Sequence, residues 1–120
     1  MTEQKPAYEK MTKAEKEVAD YLRELNIWWR FEHPVFAFDE RERPRVWTPD
    51  FYLPELGIYI EVCGSEDFDY NYRVKIYKKN RIPVIFLHQY KQDFNWKSYL
   101  RKRLIEIFNY RSKIFKGLSK

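Results

Sequence analysis

Two acidic residues, Asp50 and Glu61, stand out because of the apolar segments around them. Asp50 follows a proline and opens the short apolar run 51–53, and Glu61 interrupts a second run at residues 57–63. Both runs have the composition of strands, and a turn at residues 54–55 lies between them. The spacing therefore predicts two neighbouring strands that bring both carboxylates to one end of a sheet, where they can share a hard cation such as Mg²⁺.

A cation held in this way supports the hydrolysis of phosphodiesters. The anionic phosphate repels hydroxide, and Mg²⁺ both polarises the phosphate and lowers the pKa of bound water. The backbone carbonyl of Val62 is a further candidate ligand, because it lies next to Glu61 in the chain. The competing interpretation is that Asp50 and Glu61 are solvated acids at strand ends that form salt bridges.

The same segment resembles the PD-(D/E)xK nuclease superfamily, which includes restriction enzymes, Holliday-junction resolvases and DNA-repair nucleases. The resemblance is carried by Pro49-Asp50, followed later in the chain by Glu61-Val62-Cys63. It implies a three-layer restriction-endonuclease-like α/β fold, in which helices flank a mixed central sheet. It also implies a DNA endonuclease that uses Mg²⁺ or Mn²⁺, with Asp50 and Glu61 as metal ligands. Cys63 stands where this superfamily usually has a lysine.

A helix predicted at residues 70–80 offers replacements for the missing lysine. The Cys63 thiol is largely neutral at pH 7 and cannot supply the positive charge. Lys75 resembles the migrated lysine of some superfamily members and is the chemical choice, whereas Arg73 lies nearer the predicted buried side of the helix. Lys75 is narrowly preferred, and both stay candidates. Phosphate clamping or simple solvation is the alternative role for the two side chains.

An acidic residue of the first predicted helix is a further candidate. The helical spacing of Val18 and Leu22 defines a predicted buried stripe, and Glu15 lies nearer to it than Glu17. The resemblance implies a helical glutamate that binds metal or water, and Glu15 is the better match. The alternative role of Glu15 is to complete a helix-capping box with Thr12.

The whole chain has a net charge of +5, and its basic residues are concentrated in the second half. Residues 1–70 contain 9 basic and 16 acidic side chains, whereas residues 71–120 contain 14 and 2. A segment so poor in acids is typical of proteins that bind phosphate, although lysine-rich surfaces also serve solubility or form ion pairs. The candidate nucleic-acid contacts are Arg41, Arg43, Arg45, Lys78, Lys79, Lys97, Arg101 and Lys102.

Aromatic residues make up 19% of the chain, and they could serve either of two roles. The aromatic residues that could stack on bases are Trp28, Trp29, Phe31, Phe36, Phe38 and Tyr52. Alternating aromatic residues on strands are more typical of a core or a dimer interface. We therefore expect most of these rings to pack inside the protein.

The hydrophobic pattern predicts one α/β domain that covers residues 1–120. A capping box at Thr12 and helical spacing predict a first helix up to Asn26, and Asp93 is the predicted cap of the last helix. Residues 110–120 are predicted to form a flexible basic tail. Strands are predicted at residues 35–38, 46–53, 57–63 and 83–87, and a further helix at residues 70–80.

These observations together predict a protein that cuts DNA. One cysteine and no apolar run of the ~20 residues needed to cross a bilayer predict reducing, cytoplasmic surroundings and no membrane partner. Double-stranded or branched DNA, including junctions, is the expected partner. A homodimer is also expected, because a domain with one site cuts one strand. Two alternatives stay open: a catalytically inactive DNA-binding module, and a module that binds RNA or another protein.

Overall fold

A computed structural model describes the backbone of residues 4–118 and the side chains of residues 7–118. Helices and strands follow one another along most of this length. The helices are α1 (Gln4–Glu9), α2 (Lys13–Glu24), α3 (Tyr70–Lys79) and α4 (Trp96–Leu118). The strands are β1 (Arg30–Phe31), β2 (Val35–Phe38), β3 (Pro44–Trp47), β4 (Phe51–Leu53), β5 (Ile58–Cys63) and β6 (Val84–His88).

A four-stranded sheet forms the centre of the fold, with the strand order β1-β4-β5-β6. β4 is antiparallel to β1 and β5, whereas β5 is parallel to β6. The parallel pair is joined through α3, because parallel strands need a crossover connection. The α/β organisation and the mixed sheet predicted from the sequence are confirmed. β2 and β3 form a separate antiparallel hairpin.

Side chains of the central strands alternate between two apolar layers. On one side, Leu87 of β6 belongs to the buried cluster that includes Leu22 of α2 and Leu100 of α4. On the other side, the ring of Phe86 lies 6.0 Å from the ring of Tyr77 in α3. Helices therefore cover both faces of the sheet, with α2 and α4 on one face and α3 on the other.

The first predicted helix is confirmed as α2, and a capping box sets its start. The Thr12 hydroxyl accepts a hydrogen bond from the Glu15 N–H at 3.2 Å, and the Glu15 carboxylate accepts one from the Thr12 N–H at 2.8 Å. Val18 and Leu22 are buried in the core, as the helical spacing predicts. Asn26, with a φ of 58°, adopts the left-handed conformation that ends many helices.

The single strand predicted at residues 46–53 is wrong, because two strands, β3 and β4, are separated by residues 48–50. Pro49 has no N–H and cannot continue a strand ladder. β3 accordingly pairs with β2 in the hairpin, while β4 enters the central sheet. This break places Asp50 directly before β4, where the hairpin meets the sheet.

The start of the last helix also differs from its prediction. α4 begins at Trp96, and the Asn95 side chain accepts a hydrogen bond from the Ser98 N–H at 3.1 Å. Asn95, rather than the predicted Asp93, is therefore the cap. Asparagine caps helices about as well as aspartate, so the sequence offered two candidates close together.

Residues 110–118, for which the sequence predicts a flexible basic tail, continue the helix α4. Arg111 donates a hydrogen bond to the Leu56 carbonyl and so ties the helix to the turn between β4 and β5. Residues 119–120 lie outside the described part of the chain. The short helix α1 was not predicted from the sequence.

Candidate active site

Asp50 and Glu61 lie on adjacent antiparallel strands of the central sheet. Phe51 pairs with Ile60 in the ladder, so Asp50 lies opposite the segment that contains Glu61. Asp50 Oδ2 accepts a hydrogen bond of 2.7 Å from the Val62 N–H, and the carboxylate thereby takes the place of a backbone partner. The structure thus brings together the two carboxylates that the sequence singled out.

Glu15 of α2 comes within hydrogen-bonding reach of Asp50. The same side chain also caps α2 through Thr12, so one glutamate serves the helix and faces the site. Burial is the main cause that raises the pKa of Asp50, against the lowering effect of the Val62 N–H. The nearby carboxylates of Glu15 and Glu61 also raise it, and together these effects bring the pKa to about 8. Asp50 is therefore largely protonated at neutral pH, which lets the acidic groups approach one another.

Arg73 of α3 is paired with the second carboxylate. Its Nη1 atom donates a hydrogen bond to Glu61 Oε2 at 2.8 Å, and the Glu61 side chain is 8% exposed. Burial raises the pKa of Glu61, while the charge and hydrogen bond of Arg73 oppose that shift. The ion pair covers one carboxylate oxygen of the candidate site.

Aromatic rings hold the Arg73 guanidinium in place. It lies 5.4 Å from the ring centroids of both Trp47, at the end of β3, and Phe68, in the loop before α3. Contacts of a cation with two ring faces are favourable because each ring carries negative charge on its face. The Trp47 ring in turn packs edge-on against Tyr77 at 5.2 Å. Arg73 is thus a positioned charge beside Glu61.

Lys75, the replacement preferred on chemical grounds, lies on another side of α3. Its side chain is exposed. The pKa of Glu40 is lowered chiefly by backbone hydrogen bonding and by Tyr72, and the charge of Lys75 adds to this effect. Two residues along a helix differ by about 200° in direction, so only one of the two candidates can face Glu61. The structure brings Arg73, and not Lys75, to the carboxylates.

Cys63 is fully buried on β5. Burial raises the pKa of its thiol to about 12, and the carboxylates of Glu61 and Asp50 add to the shift. The Tyr70 hydroxyl opposes it. A thiol that stays neutral is neither a ligand for a hard cation nor a proton carrier at neutral pH.

The oxygen atoms of Asp50, Glu61 and the Val62 carbonyl suit a hard divalent cation such as Mg²⁺ or Mn²⁺. Within the described part of the chain, no group of three Asp, Glu, His or Cys side chains could hold an ion. The contacts explain this: Glu61 is paired with Arg73, and Glu15 is bound to the start of α2. The donor set nonetheless fits the cation, because a buried carboxylate with a raised pKa is stabilised when a cation replaces its proton.

No protein-family model, curated protein or solved structure matches this chain. Among the helices that the structure describes, none is long and apolar enough to cross a membrane.

Asp39, which the sequence analysis did not single out, organises the arginine-rich turn between β2 and β3. Its carboxylate is inaccessible to solvent and accepts hydrogen bonds from the Arg41 and Arg43 N–H groups, each at 2.9 Å. Its second oxygen accepts from Nε of Arg43 at 3.0 Å and of Arg45 at 3.1 Å. Burial alone raises the pKa of Asp39, but these hydrogen bonds hold it well below its usual range.

The other predicted nucleic-acid contacts lie in the hairpin turn, on α3 and on α4, and two of them contact other residues of the protein. Lys79 donates hydrogen bonds to the Asp39 carbonyl and the Glu42 carboxylate, so it stabilises the hairpin turn. The Lys97 ammonium lies 5.1 Å from the Tyr21 ring centroid. Lys79 and Lys97 are exposed despite these contacts, and Arg41, Lys78, Arg101 and Lys102 are exposed as well.

The expectation that strand aromatics pack inside the protein is wrong for Phe36 and Phe38. Trp29 is 3% exposed and does belong to the core, whereas Phe36 and Phe38 are 77% and 50% exposed. The cause is that β2 lies outside the central sheet, which leaves one face of the hairpin at the surface. Trp28, at 51%, is also exposed.

Proposed function

We propose that the protein is a DNA endonuclease that depends on Mg²⁺ or Mn²⁺ to hydrolyse phosphodiester bonds. The observation that carries this proposal is the pair of carboxylates, Asp50 and Glu61, on adjacent strands, with Asp50 fixed by the Val62 N–H. The pKa of Asp50, raised to about 8 by burial and by neighbouring acids, is typical of groups at functional sites.

The order of the central strands supports a restriction-endonuclease-like fold of the PD-(D/E)xK type. Two antiparallel strands carry Asp50 and Glu61, and a parallel strand follows after α3. Helices on both faces of the sheet agree with the three-layer organisation of that fold.

In this proposal Asp50 and Glu61 hold the cation, and the Val62 carbonyl is a further ligand. The cation, when bound, polarises the phosphate and lowers the pKa of the attacking water. Asp50 must release its proton to act as a ligand, so its raised pKa makes metal affinity increase with pH up to about 8. Glu15, beside Asp50, is positioned to accept a hydrogen bond from water.

Arg73 takes the role of the missing lysine in this proposal. A guanidinium stays protonated at every physiological pH, and its N–H groups match the oxygens of a phosphate. If Glu61 held a cation, the Arg73 Nη1 atom that now donates to Glu61 would be able to donate to the substrate. Lys75, which is exposed, is left as an outer phosphate contact.

Double-stranded or branched DNA is the substrate class that we propose. Exposed basic side chains on the hairpin turn, α3 and α4 provide contacts for phosphates, and their attraction is lost as salt rises. Cytoplasmic surroundings also belong to the proposal, because the unpaired Cys63 thiol suits a reducing compartment. The exposed basic side chains include Arg41, Lys75, Lys78, Arg101 and Lys102.

We further propose a homodimer in which α4 supplies the contact. Ile105 and Phe108 are 59% and 62% exposed, and they border an apolar groove of about 290 Å³ that Ile27 and Leu56 also line. Two copies would give two sites, one for each strand of a duplex. Phe108→Glu is expected to convert a dimer to a monomer in sedimentation analysis. Asn109→Glu adds the same charge on the polar side of α4 and is expected to leave the mass unchanged.

The nuclease proposal is tested by cleavage of labelled duplex, single-stranded and four-way-junction DNA with Mg²⁺ or Mn²⁺. We expect cleavage by the unaltered protein and a loss of at least about 100-fold in both Asp50→Asn and Glu61→Gln. Glu106→Gln removes an exposed carboxylate on α4 and serves as the matched control. Cleavage that survives in both site variants contradicts the proposal.

A second candidate function is a DNA-binding module without catalysis. The observation that favours it is the Arg73–Glu61 ion pair, which occupies an oxygen that a metal ligand needs. Salt-sensitive DNA binding that is unchanged in EDTA, together with no cleavage of any substrate, would support this alternative. Stronger competition by RNA than by DNA of equal length would instead favour an RNA-binding module.

A further inference from the structure

The hydroxyl of Tyr77 is buried beside the candidate active site. Tyr77 lies in α3 and is 2% exposed. Among the residues whose side chains the structure describes, none forms a hydrogen bond with this hydroxyl. A buried hydroxyl that is left unpaired costs free energy, so such groups are uncommon in folded proteins. The neighbours of the hydroxyl indicate which group could become its partner.

Tyr77 and Arg73 lie on the same face of α3. They are four residues apart, which is about one helical turn, and helical side chains lean toward the N-terminus of their helix, here toward Arg73. Both side chains pack against Trp47. The guanidinium lies 5.4 Å from the centroid of the indole ring, and the Tyr77 ring packs edge-on with its centroid 5.2 Å away. The phenol and the guanidinium are therefore neighbours that share one aromatic contact.

Tyr77 also lies next to Glu61, the carboxylate that Arg73 binds. Phe86 is the ladder partner of Glu61 on β6, and the centroid of its ring lies 6.0 Å from that of Tyr77. Burial raises the pKa of the Tyr77 hydroxyl, and the charge of Glu61 raises it further, whereas Arg73 lowers it. Both members of the ion pair are thus close enough to act on the hydroxyl.

The hydrogen bond between Arg73 and Glu61 uses an oxygen of a proposed metal ligand. Arg73 Nη1 donates to Glu61 Oε2 at 2.8 Å. A partly buried guanidinium that loses its acceptor needs another one, because an uncompensated charge is costly away from water. A phenol oxygen can accept such a hydrogen bond. The hydroxyl of Tyr77 is the neighbouring group that can do so.

We propose that Tyr77 is a positioning residue of the carboxylate site, whose hydroxyl accepts a hydrogen bond from Arg73 when Glu61 binds a cation. The inference deepens the proposed function and rests on it, because the exchange takes place only if Glu61 becomes a metal ligand. Arg73 then stays beside the site, where its other N–H groups can meet a phosphate oxygen. The buried hydroxyl gains its partner in the same step.

The test compares Tyr77→Phe with the unaltered protein by thermal unfolding without metal and by Mn²⁺ titration at pH 8. Removal of an unpaired buried hydroxyl should leave the Tm without metal unchanged or raise it. In the metal-bound variant Arg73 lacks its second acceptor, so the dissociation constant for Mn²⁺ should rise about 10-fold. Electron paramagnetic resonance of the unbound ion measures this constant without DNA and without any cleavage.

Tyr21→Phe is the matched control. Tyr21 is also largely buried, at 8% exposed, but it lies on α2 at the opposite face of the sheet. Its loss of a hydroxyl should leave the Mn²⁺ dissociation constant nearly unchanged. The inference is overturned if Tyr77→Phe binds Mn²⁺ as tightly as the unaltered protein. A lower Tm of Tyr77→Phe without metal also overturns it, because the hydroxyl would then already have a stabilising partner.

Failure of the proposed function gives a different set of results. An unaltered protein that binds no Mn²⁺ overturns both the nuclease proposal and this inference. Metal-dependent cleavage with equal Mn²⁺ affinity in Tyr77→Phe overturns this inference alone. Weaker Mn²⁺ binding in Tyr77→Phe, together with no cleavage of any DNA by the unaltered protein, supports the role of Tyr77 at a metal site and overturns the nuclease proposal alone.

Discussion

Asp39 directly follows β2 and Asp50 directly precedes β4, and their surroundings shift the pKa of the two carboxylates in opposite directions. Asp39 accepts four hydrogen bonds, two of them from arginine side chains, and its pKa is held well below its usual range. Asp50 accepts one from the Val62 N–H and faces two other acids, and its pKa is raised to about 8. The donors around Asp39 compensate for the burial of its charge, whereas at Asp50 burial and two neighbouring acids outweigh the single N–H of Val62.

In the proposed function, this difference separates a structural acid, Asp39, from a functional one, Asp50. A buried charge that serves the fold is surrounded by donors that compensate for its desolvation. An acid that must bind a cation cannot have all its oxygen atoms occupied in the free protein. The pKa of Asp50 is raised chiefly by burial and then by the neighbouring acids Glu15 and Glu61, which the Val62 N–H only partly offsets.

The largest expected effect concerns what each aspartate does for cleavage. Asp50→Asn should reduce metal-dependent DNA cleavage by at least about 100-fold, because an amide cannot replace a carboxylate as a ligand. Asp39→Asn should leave the rate constant of bound substrate within about 10-fold, because the site itself is unaltered. Single-turnover cleavage rates provide the measurement, and an equal loss in both variants would contradict the distinction between the two acids.

The next largest effect is on stability, where Asp39→Asn is expected to be the more damaging of the two substitutions. Asp39→Asn removes the charge that two arginines share and should lower the Tm by roughly 5 °C. Asp50→Asn keeps the hydrogen bond from Val62 and removes a poorly compensated charge, so at pH 8 it should raise the Tm. Thermal unfolding followed by circular dichroism measures both. A Tm that falls in Asp50→Asn at this pH would count against the raised pKa.

The pH dependence of the free energy of unfolding should distinguish the two carboxylates. The pKa of Asp50 is about 8 in the folded protein and roughly 3.9 when unfolded, so the folded state binds the extra proton between these values. The free energy of unfolding should therefore fall as pH rises from about 4 to 8, by at most about 1.4 kcal/mol per pH unit. Glu61 adds in the same direction, since its pKa is also raised.

Asp39 acts in the opposite sense and over another range. The folded pKa of Asp39 is depressed, so its contribution to stability is present above the unfolded pKa and is lost as the pH falls below about 4.

Urea unfolding at pH 5 and pH 8 measures the decline in the free energy of unfolding that is expected from Asp50. The decline between these values should shrink in Asp50→Asn, and an unchanged decline would assign it to another group.

A smaller effect is expected at Cys63, the residue at the position of the missing lysine. Its thiol is buried and has a pKa raised to about 12, so it carries no charge that catalysis could use. Cys63→Ala should change the cleavage rate less than about twofold and cost about 1 kcal/mol of stability. A 10-fold loss of cleavage with an intact fold would give the thiol a direct role.

The smallest effect lies in the turn that ends α3. Arg81 has a φ of 56°, a conformation that glycine adopts without strain. Arg81→Gly should raise the free energy of unfolding by about 0.5 to 1 kcal/mol. Arg81→Ala removes the same charge but keeps the strain, so it should give no gain. Urea unfolding of the pair separates the backbone effect from the charge effect.

The parts of this structure that the sequence could predict depend on local patterns. The capping box of Thr12 and Glu15 and the two apolar strands around Asp50 and Glu61 need only neighbouring residues. The break at Pro49 was not predicted, although a proline within a strand pattern is a signal for one.

The parts that were not predicted depend on contacts between distant elements. The direction of α3 decides that Arg73 rather than Lys75 reaches Glu61, and this direction follows from packing on the sheet. From the sequence Asp39 is one charge in a polar turn, because the contacts that hold its backbone come from the distant end of α3: Lys79 donates to the Asp39 carbonyl and Asn80 to the Phe38 carbonyl. The one available signal was the arginine at each of the fourth and sixth positions after it.

The most direct test of the account is metal binding by the unaltered protein and by Asp50→Asn, without DNA. Thermal unfolding is measured with and without Mn²⁺ at pH 8, where Asp50 can give up its proton. We predict that Mn²⁺ raises the Tm of the unaltered protein and of the Asp39→Asn control, but not that of Asp50→Asn. An equal rise in Asp50→Asn would contradict the claim that Asp50 and Glu61 form a metal site.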